Sequence, residues 1–111
     1  MNNVANYIRE ILLSQLMVVF SWGAHDFESI PESEEGEGGL MFSVNGFKHA
    51  GKVKVVLNWL DLFDVYLINQ DDALKEKIEN VFVDSLINVI DLAIEKTDDY
   101  EERVRREYCF Q

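Results

Sequence analysis

The sequence predicts an α+β domain in which an antiparallel meander of three or four strands packs against an N-terminal helix and a longer C-terminal helix. Three observations carry this: strand-like alternation in three runs between Leu40 and Asn69, short polar breaks between those runs, and apolar residues at helical spacing on either side. Length and composition fit one domain over residues 1–111, with 48% hydrophobic residues and no internal repeat.

In the first run, Leu40 to Phe47, Phe42 and Val44 share a face opposite Met41, Ser43 and Asn45. The second, Lys52 to Asn58, turns Val53, Val55 and Leu57 inward and Lys52, Lys54 and Asn58 outward. The third, Leu62 to Ile68, sets Phe63, Val65 and Leu67 against Asp64 and Tyr66, with Ile68 on the polar side. The connections Lys48-His49-Ala50-Gly51 and Trp59-Leu60-Asp61 suit hairpins and are too short for parallel crossovers.

After Asp71-Asp72, the residues Leu74, Ile78, Val81, Phe82, Leu86, Val89, Ile90 and Ala93 recur at spacings of three and four, which predicts the C-terminal helix. Residues 73–80 are open to a second reading, an extended or irregular approach to a helix that begins near Val81. At the N-terminus, Val4, Ile8, Ile11 and Leu12 form an apolar stripe behind Asn2 or Asn3 as N-cap, in a helix that fades near Gln15. From Leu16 to Trp22 the β-branched and aromatic content favours an extended segment, a fourth strand; the alternative is the buried end of the first helix.

Charge is unevenly spread. There are 21 acidic and 10 basic residues, a formal net charge of -11. Residues 26–37 hold six acids and no base, residues 38–60 hold Lys48, Lys52 and Lys54 and no acid, and residues 61–111 hold 14 acids against 6 bases. With Pro31 and three glycines, Ser29 to Gly39 reads as a flexible, solvated acidic loop. Residues 98–111 form a charged tail with Tyr100, Tyr108 and Phe110, aromatic types favoured in interface cores. Trp59 joins them as a candidate interaction residue.

Chemistry-bearing patterns are sparse. His25-Asp26 is the pair that metal-dependent phosphohydrolases use, but further His and Asp ligands are needed and only His49 remains, in a hairpin turn. Cys109 is the sole cysteine, so no intramolecular disulfide forms, and it stands too near the chain end to support a built nucleophilic site. Asp84, Asp91 and Glu95 read as a solvated helix face before they read as acid–base groups. Glu34, Glu35 and Glu37 beside Gly36, Gly38 and Gly39 would repel a phosphate. No metal site, catalytic residue or cofactor is expected. Three lysines near Phe47, His49 and Trp59 make a weak nucleic-acid footprint against a net charge of -11. Ile11 to Phe20 has the apolar character of a secretory leader, but Arg9 is neutralised by Glu10 and Ser14 and Gln15 interrupt it. With no run of about 20 apolar residues to span a bilayer, a cytoplasmic protein is expected.

The run Gly46 to Asn69, GFKHAGKVKVVLNWLDLFDVYLIN, with Trp22-Gly23 before it and Phe82-Val83-Asp84-Ser85-Leu86 after it, resembles a family of small uncharacterised proteins encoded by phages and mobile elements of gut bacteria. The resemblance covers most of residues 17–95 and implies an accessory protein of a bacterial cytoplasm; it brings no activity or site residues. The expected function is a non-catalytic, self-associating interaction module. The alternatives are an acidic, DNA-mimicking inhibitor of a DNA-binding protein, and a small enzyme or metal protein using His25 and Asp26.

Overall fold

The computed structural model describes residues 3–34, 36–46 and 49–94. In chain order these form α1 (Asn3–Leu13), α2 (Leu16–Ser21), β1 (His25–Ile30), β2 (Gly39–Asn45), β3 (Ala50–Leu57), β4 (Phe63–Asn69), β5 (Leu74–Val81), a 3-10 turn at Val83–Ser85 and α3 (Leu86–Ile94). The five strands form one antiparallel sheet in the order β1-β2-β3-β4-β5. Each strand pairs with its sequence neighbour, as short connections require. The sheet thus has five strands, where the sequence reading expects three or four.

Alternation in the central strands decides which face is covered. Leu40, Phe42 and Val44 of β2, Val53 and Val55 of β3, and Phe63, Val65 and Leu67 of β4 join Ala5, Ile8 and Leu12 of α1, Val19 of α2, Trp22, and Leu86, Ile90 and Ile94 of α3 in one core. Trp22 ties the layers together. Its indole stacks on Phe42 with ring centroids 6.4 Å apart, its Nε1–H donates to Asp91 Oδ1 of α3 at 3.0 Å, and its carbonyl accepts from the Asn45 N–H at 2.8 Å. On the opposite face, the ammonium groups of Lys54 of β3 and Lys77 of β5 lie over the Tyr66 ring at 4.9 and 5.1 Å from its centroid, in cation–π contact.

Four expectations are corrected. Leu16–Ser21 is helical rather than extended, because a helix there buries Val19 and delivers Trp22 to the core, and that packing overrides strand propensity. Residues 74–81 form a strand, the extended alternative rather than the start of the C-terminal helix, and α3 begins only at Leu86, its nine described residues fewer than the eleven of α1. The spacing of three between Ile78 and Val81 imitates a helix, but Asn80 at φ +56° makes a bulge, so that Val65 pairs Ile78 and Phe63 pairs Val81. Asn3 lies within α1 rather than capping it, while Asn2 falls outside the described residues. Asn58 is buried rather than outward: its side chain donates to Asp64 Oδ1 at 3.0 Å and Asn80 Oδ1 at 2.9 Å, and accepts from the N–H groups of Leu60 and Leu62.

The segment Ser29 to Gly39 is only partly loop, since Ser29 and Ile30 finish β1 and Gly39 begins β2. Between them, the Glu37 N–H donates to the Leu57 carbonyl at 2.8 Å and the Leu57 N–H to the Gly38 carbonyl at 2.9 Å. A Cβ at Gly36 would overlap the Leu57 carbonyl, so this approach of backbone to backbone needs glycine. The tail residues Tyr100, Tyr108, Cys109 and Phe110, together with Phe47 and Lys48, lie outside the described residues.

Candidate interaction surface

Among the described residues, a cluster of exposed apolar side chains starts at the end of α1. Ser14 accommodates the break by donating its N–H to the Glu10 and Ile11 carbonyls at 3.1 and 3.2 Å, and α2 begins two residues later. One side of α2 carries Val19 into the core, so the other side must carry Leu16, Met17 and Phe20 outward. With Leu13 of α1 and Phe27 of β1 they form a strip of large apolar side chains exposed by 52% (Leu13), 40% (Leu16), 81% (Met17), 66% (Phe20) and 41% (Phe27). Between them Leu13, Leu16, Phe20 and Phe27 line a groove of about 240 Å³ in which, among the described residues, Arg9 is the one charged side chain. Clustered apolar exposure of this kind marks contact surfaces.

Of the expected interaction residues, Trp59 is exposed in the β3–β4 turn, where its Nε1–H donates to the Glu34 carbonyl at 3.1 Å and ties the acidic segment to that turn. Leu60 beside it is exposed as well. This turn and the α2 strip belong to opposite ends of β2 and β3: Trp22, which follows α2, bonds Asn45 at the β2–β3 hairpin. The strip is therefore a surface the sequence reading missed. Its signal is the spacing of Leu13, Leu16, Met17 and Phe20, which are three, four and seven residues apart as on one helix face.

The chemistry-bearing candidates do not converge. His25 is exposed; its Nδ1–H donates to the Gly23 carbonyl at 2.7 Å, and its Nε2 is 3.8 Å from Asp26. Among the described residues no three His, Cys, Asp or Glu side chains gather as metal ligands. His49 is buried, with Nε2–H donating to the Lys52 carbonyl at 3.0 Å, while Nδ1 meets no hydrogen-bonding partner among the described residues. Asp91 is engaged by Trp22 and Glu95 lies outside the described residues. Lys52 reaches Asp72 at 3.9 Å. Among the described residues no helix is long and apolar enough to cross a membrane.

Acids crowd at one place. Partial burial against the β3–β4 turn, a hydrogen bond shared with Asp61, and the charges of Asp61 and Glu32 together hold the Glu37 carboxyl above its ordinary value. A folded-state value above the unfolded one means that Glu37 favours folding when protonated and loses that contribution as pH rises through its folded value. Glu37→Gln is therefore expected to raise stability at neutral pH and to lose that advantage in acid. Paired denaturation curves at pH 7 and below the carboxylate range check the sign.

No protein-family model matches this chain, and no similar curated protein or solved structure is found.

Proposed function

We propose that this protein is a non-catalytic interaction module that self-associates through the α2 strip. The observation that carries this reading is the outward apolar face of α2 and its continuation on Leu13 and Phe27. A second copy is the occupant that the charge layout favours. Each chain bears -11, and the strip contributes no acid, so two copies meet there with least repulsion. Strand-to-strand addition is less suited to either sheet edge: β1 is bulged between His25 and Glu28, and β5 alternates Lys75, Glu76, Lys77 and Glu79. An isologous contact then sets α2 of one copy on α2 of the other. The resemblance of residues 46–69 adds a setting, an accessory protein of phage or mobile-element origin working in a bacterial cytoplasm.

The acidic-inhibitor reading draws support from the crowding of Glu32, Glu37 and Asp61. Against it, the acids of β5 are interleaved with lysines, which breaks the unbroken anionic stripe that a DNA mimic presents. Light scattering on the full chain eluting at high micromolar concentration tests self-association: a dimer mass is expected, and monomer alone removes the proposal.

A further inference from the structure

The groove beside α2 has a floor as well as a rim. Leu12 and Val19, both buried, line it together with the exposed Leu13, Leu16, Phe20 and Phe27. An apolar chain laid there exchanges water for carbon on floor and walls alike. At about 240 Å³ the groove falls below the roughly 300–1,000 Å³ that drug-sized ligands occupy, so it suits a slim linear chain rather than fused rings.

Arg9 decides how such a chain must end. It lines the groove one turn before Leu13 on α1, and among the described residues its guanidinium has no ion-pair or hydrogen-bond partner. The acids adjoining these residues in sequence line other hollows: Glu10 lines a groove shared with Ile87 and Asp91 of α3, while Asp26 and Glu28 line one beside Met41, Ser43 and Lys52. A guanidinium on an apolar groove selects a carboxylate, because its paired N–H donors match two carboxylate oxygens. The net charge of -11 does not forbid this, since exposed charges more than about 10 Å away are screened at 0.1 M salt and the bound anion answers first to Arg9.

We propose that this groove binds an unbranched apolar monocarboxylate, a medium-chain fatty acid anion, with its carboxylate on Arg9 and its chain along Leu13, Leu16, Phe20 and Phe27. Those walls are the ones on which a second copy docks, so the ligand dissociates the dimer; this half of the proposal rests on self-association through α2.

Octanoate is the probe, titrated at neutral pH and below its micelle concentration into the isotope-enriched full chain. Amide NMR signals of Leu13, Leu16, Val19 and Phe27 are expected to shift saturably, while those of Ile87 and Asn88 stay in place. Hexanoate should bind roughly fifteenfold more weakly, from about 0.8 kcal/mol for each of two buried CH2 groups. 1-Octanol has the same chain without the charge and should bind about fivefold more weakly, the upper reach of a solvent-facing ion pair. Arg9→Gln should abolish the preference for octanoate over 1-octanol while its amide spectrum stays that of the same fold. The absence of a saturable shift, indifference to chain length, equal binding of octanoate and 1-octanol by the native chain, or a preference that Arg9→Gln retains overturns the site. Light scattering with saturating octanoate reads the second half: a monomer mass is expected where the chain alone gives a dimer, and a dimer mass with octanoate bound overturns the competition. A chain that is monomeric before octanoate is added removes self-association and the competition with it, and the binding site is then decided by the titration alone.

Discussion

Trp22→Ala is expected to destabilise the protein by about 3–5 kcal/mol, the range for emptying a buried large aromatic site. A small domain has in total only about 5–15 kcal/mol, so the variant should stand close to its unfolding limit. The effect is large because three elements meet on one side chain. Trp22 is fully buried, stacks on Phe42 of β2 and donates to Asp91 of α3. Trp22→Phe separates the contributions: it keeps much of the apolar contact and removes the N–H that Asp91 accepts, a bond to a charged group of about 1.5–3 kcal/mol. Urea denaturation followed by far-ultraviolet circular dichroism checks both, and a loss under about 1 kcal/mol for Trp22→Ala would show that Trp22 does not join the helices to the sheet.

The second large effect lies at the other end of the sheet. Asn58→Ala is expected to cost about 2–4 kcal/mol, because it leaves the Leu60 and Leu62 N–H groups without their acceptor and deprives Asp64 and Asn80 of a donor. Asp64 also accepts from the Asn80 N–H at 3.1 Å, so the same carboxylate fixes both the β3–β4 turn and the β5 bulge. Asn58→Asp tests the polarity of the arrangement. It preserves shape but sets a second carboxylate against Asp64, and should cost at least as much as Asn58→Ala at neutral pH. Thermal unfolding of the three proteins in one buffer decides it; an Asn58→Asp chain as stable as the native one would contradict the network.

The central meander was legible in the sequence because β2, β3 and β4 each place alternate apolar residues on the core face, and a one-residue slip would turn Val53 and Val55 of β3 out of the core. What escaped follows from features that break periodicity or lack it. β1 is exposed along most of its length and has Asp26 and Glu28 in place of an apolar face, so it carries little strand signal and is held by pairing to β2. β5 was obscured by its bulge at Asn80. Asn58 looks like an ordinary outward strand residue until the turn folds over it, because its partners, at positions 64 and 80, are remote in sequence. Ser29 to Gly39 reads as loop from its glycines and glutamates, yet Gly36 and Gly39 are there because backbone passes close to backbone. The candidate surface was hidden for a related reason. Leu16 to Trp22 has the composition of a buried strand, and only the helix turns Met17 and Phe20 to solvent.

Sedimentation equilibrium of the native chain and of the Met17→Lys, Phe20→Lys double variant tests self-association through α2 most directly. Lysine is the informative replacement, because it lowers the net negative charge and so weakens repulsion between copies while removing the apolar contact. Raising salt from about 0.1 M to about 1 M shortens the screening length from about 10 Å to about 3 Å, which should tighten a contact between like-charged chains. The predicted result is a native dimer whose dissociation constant falls with salt and a double variant that stays monomeric at the same concentrations. A native chain that remains monomeric throughout, or a double variant that associates as well as the native chain, would contradict the account.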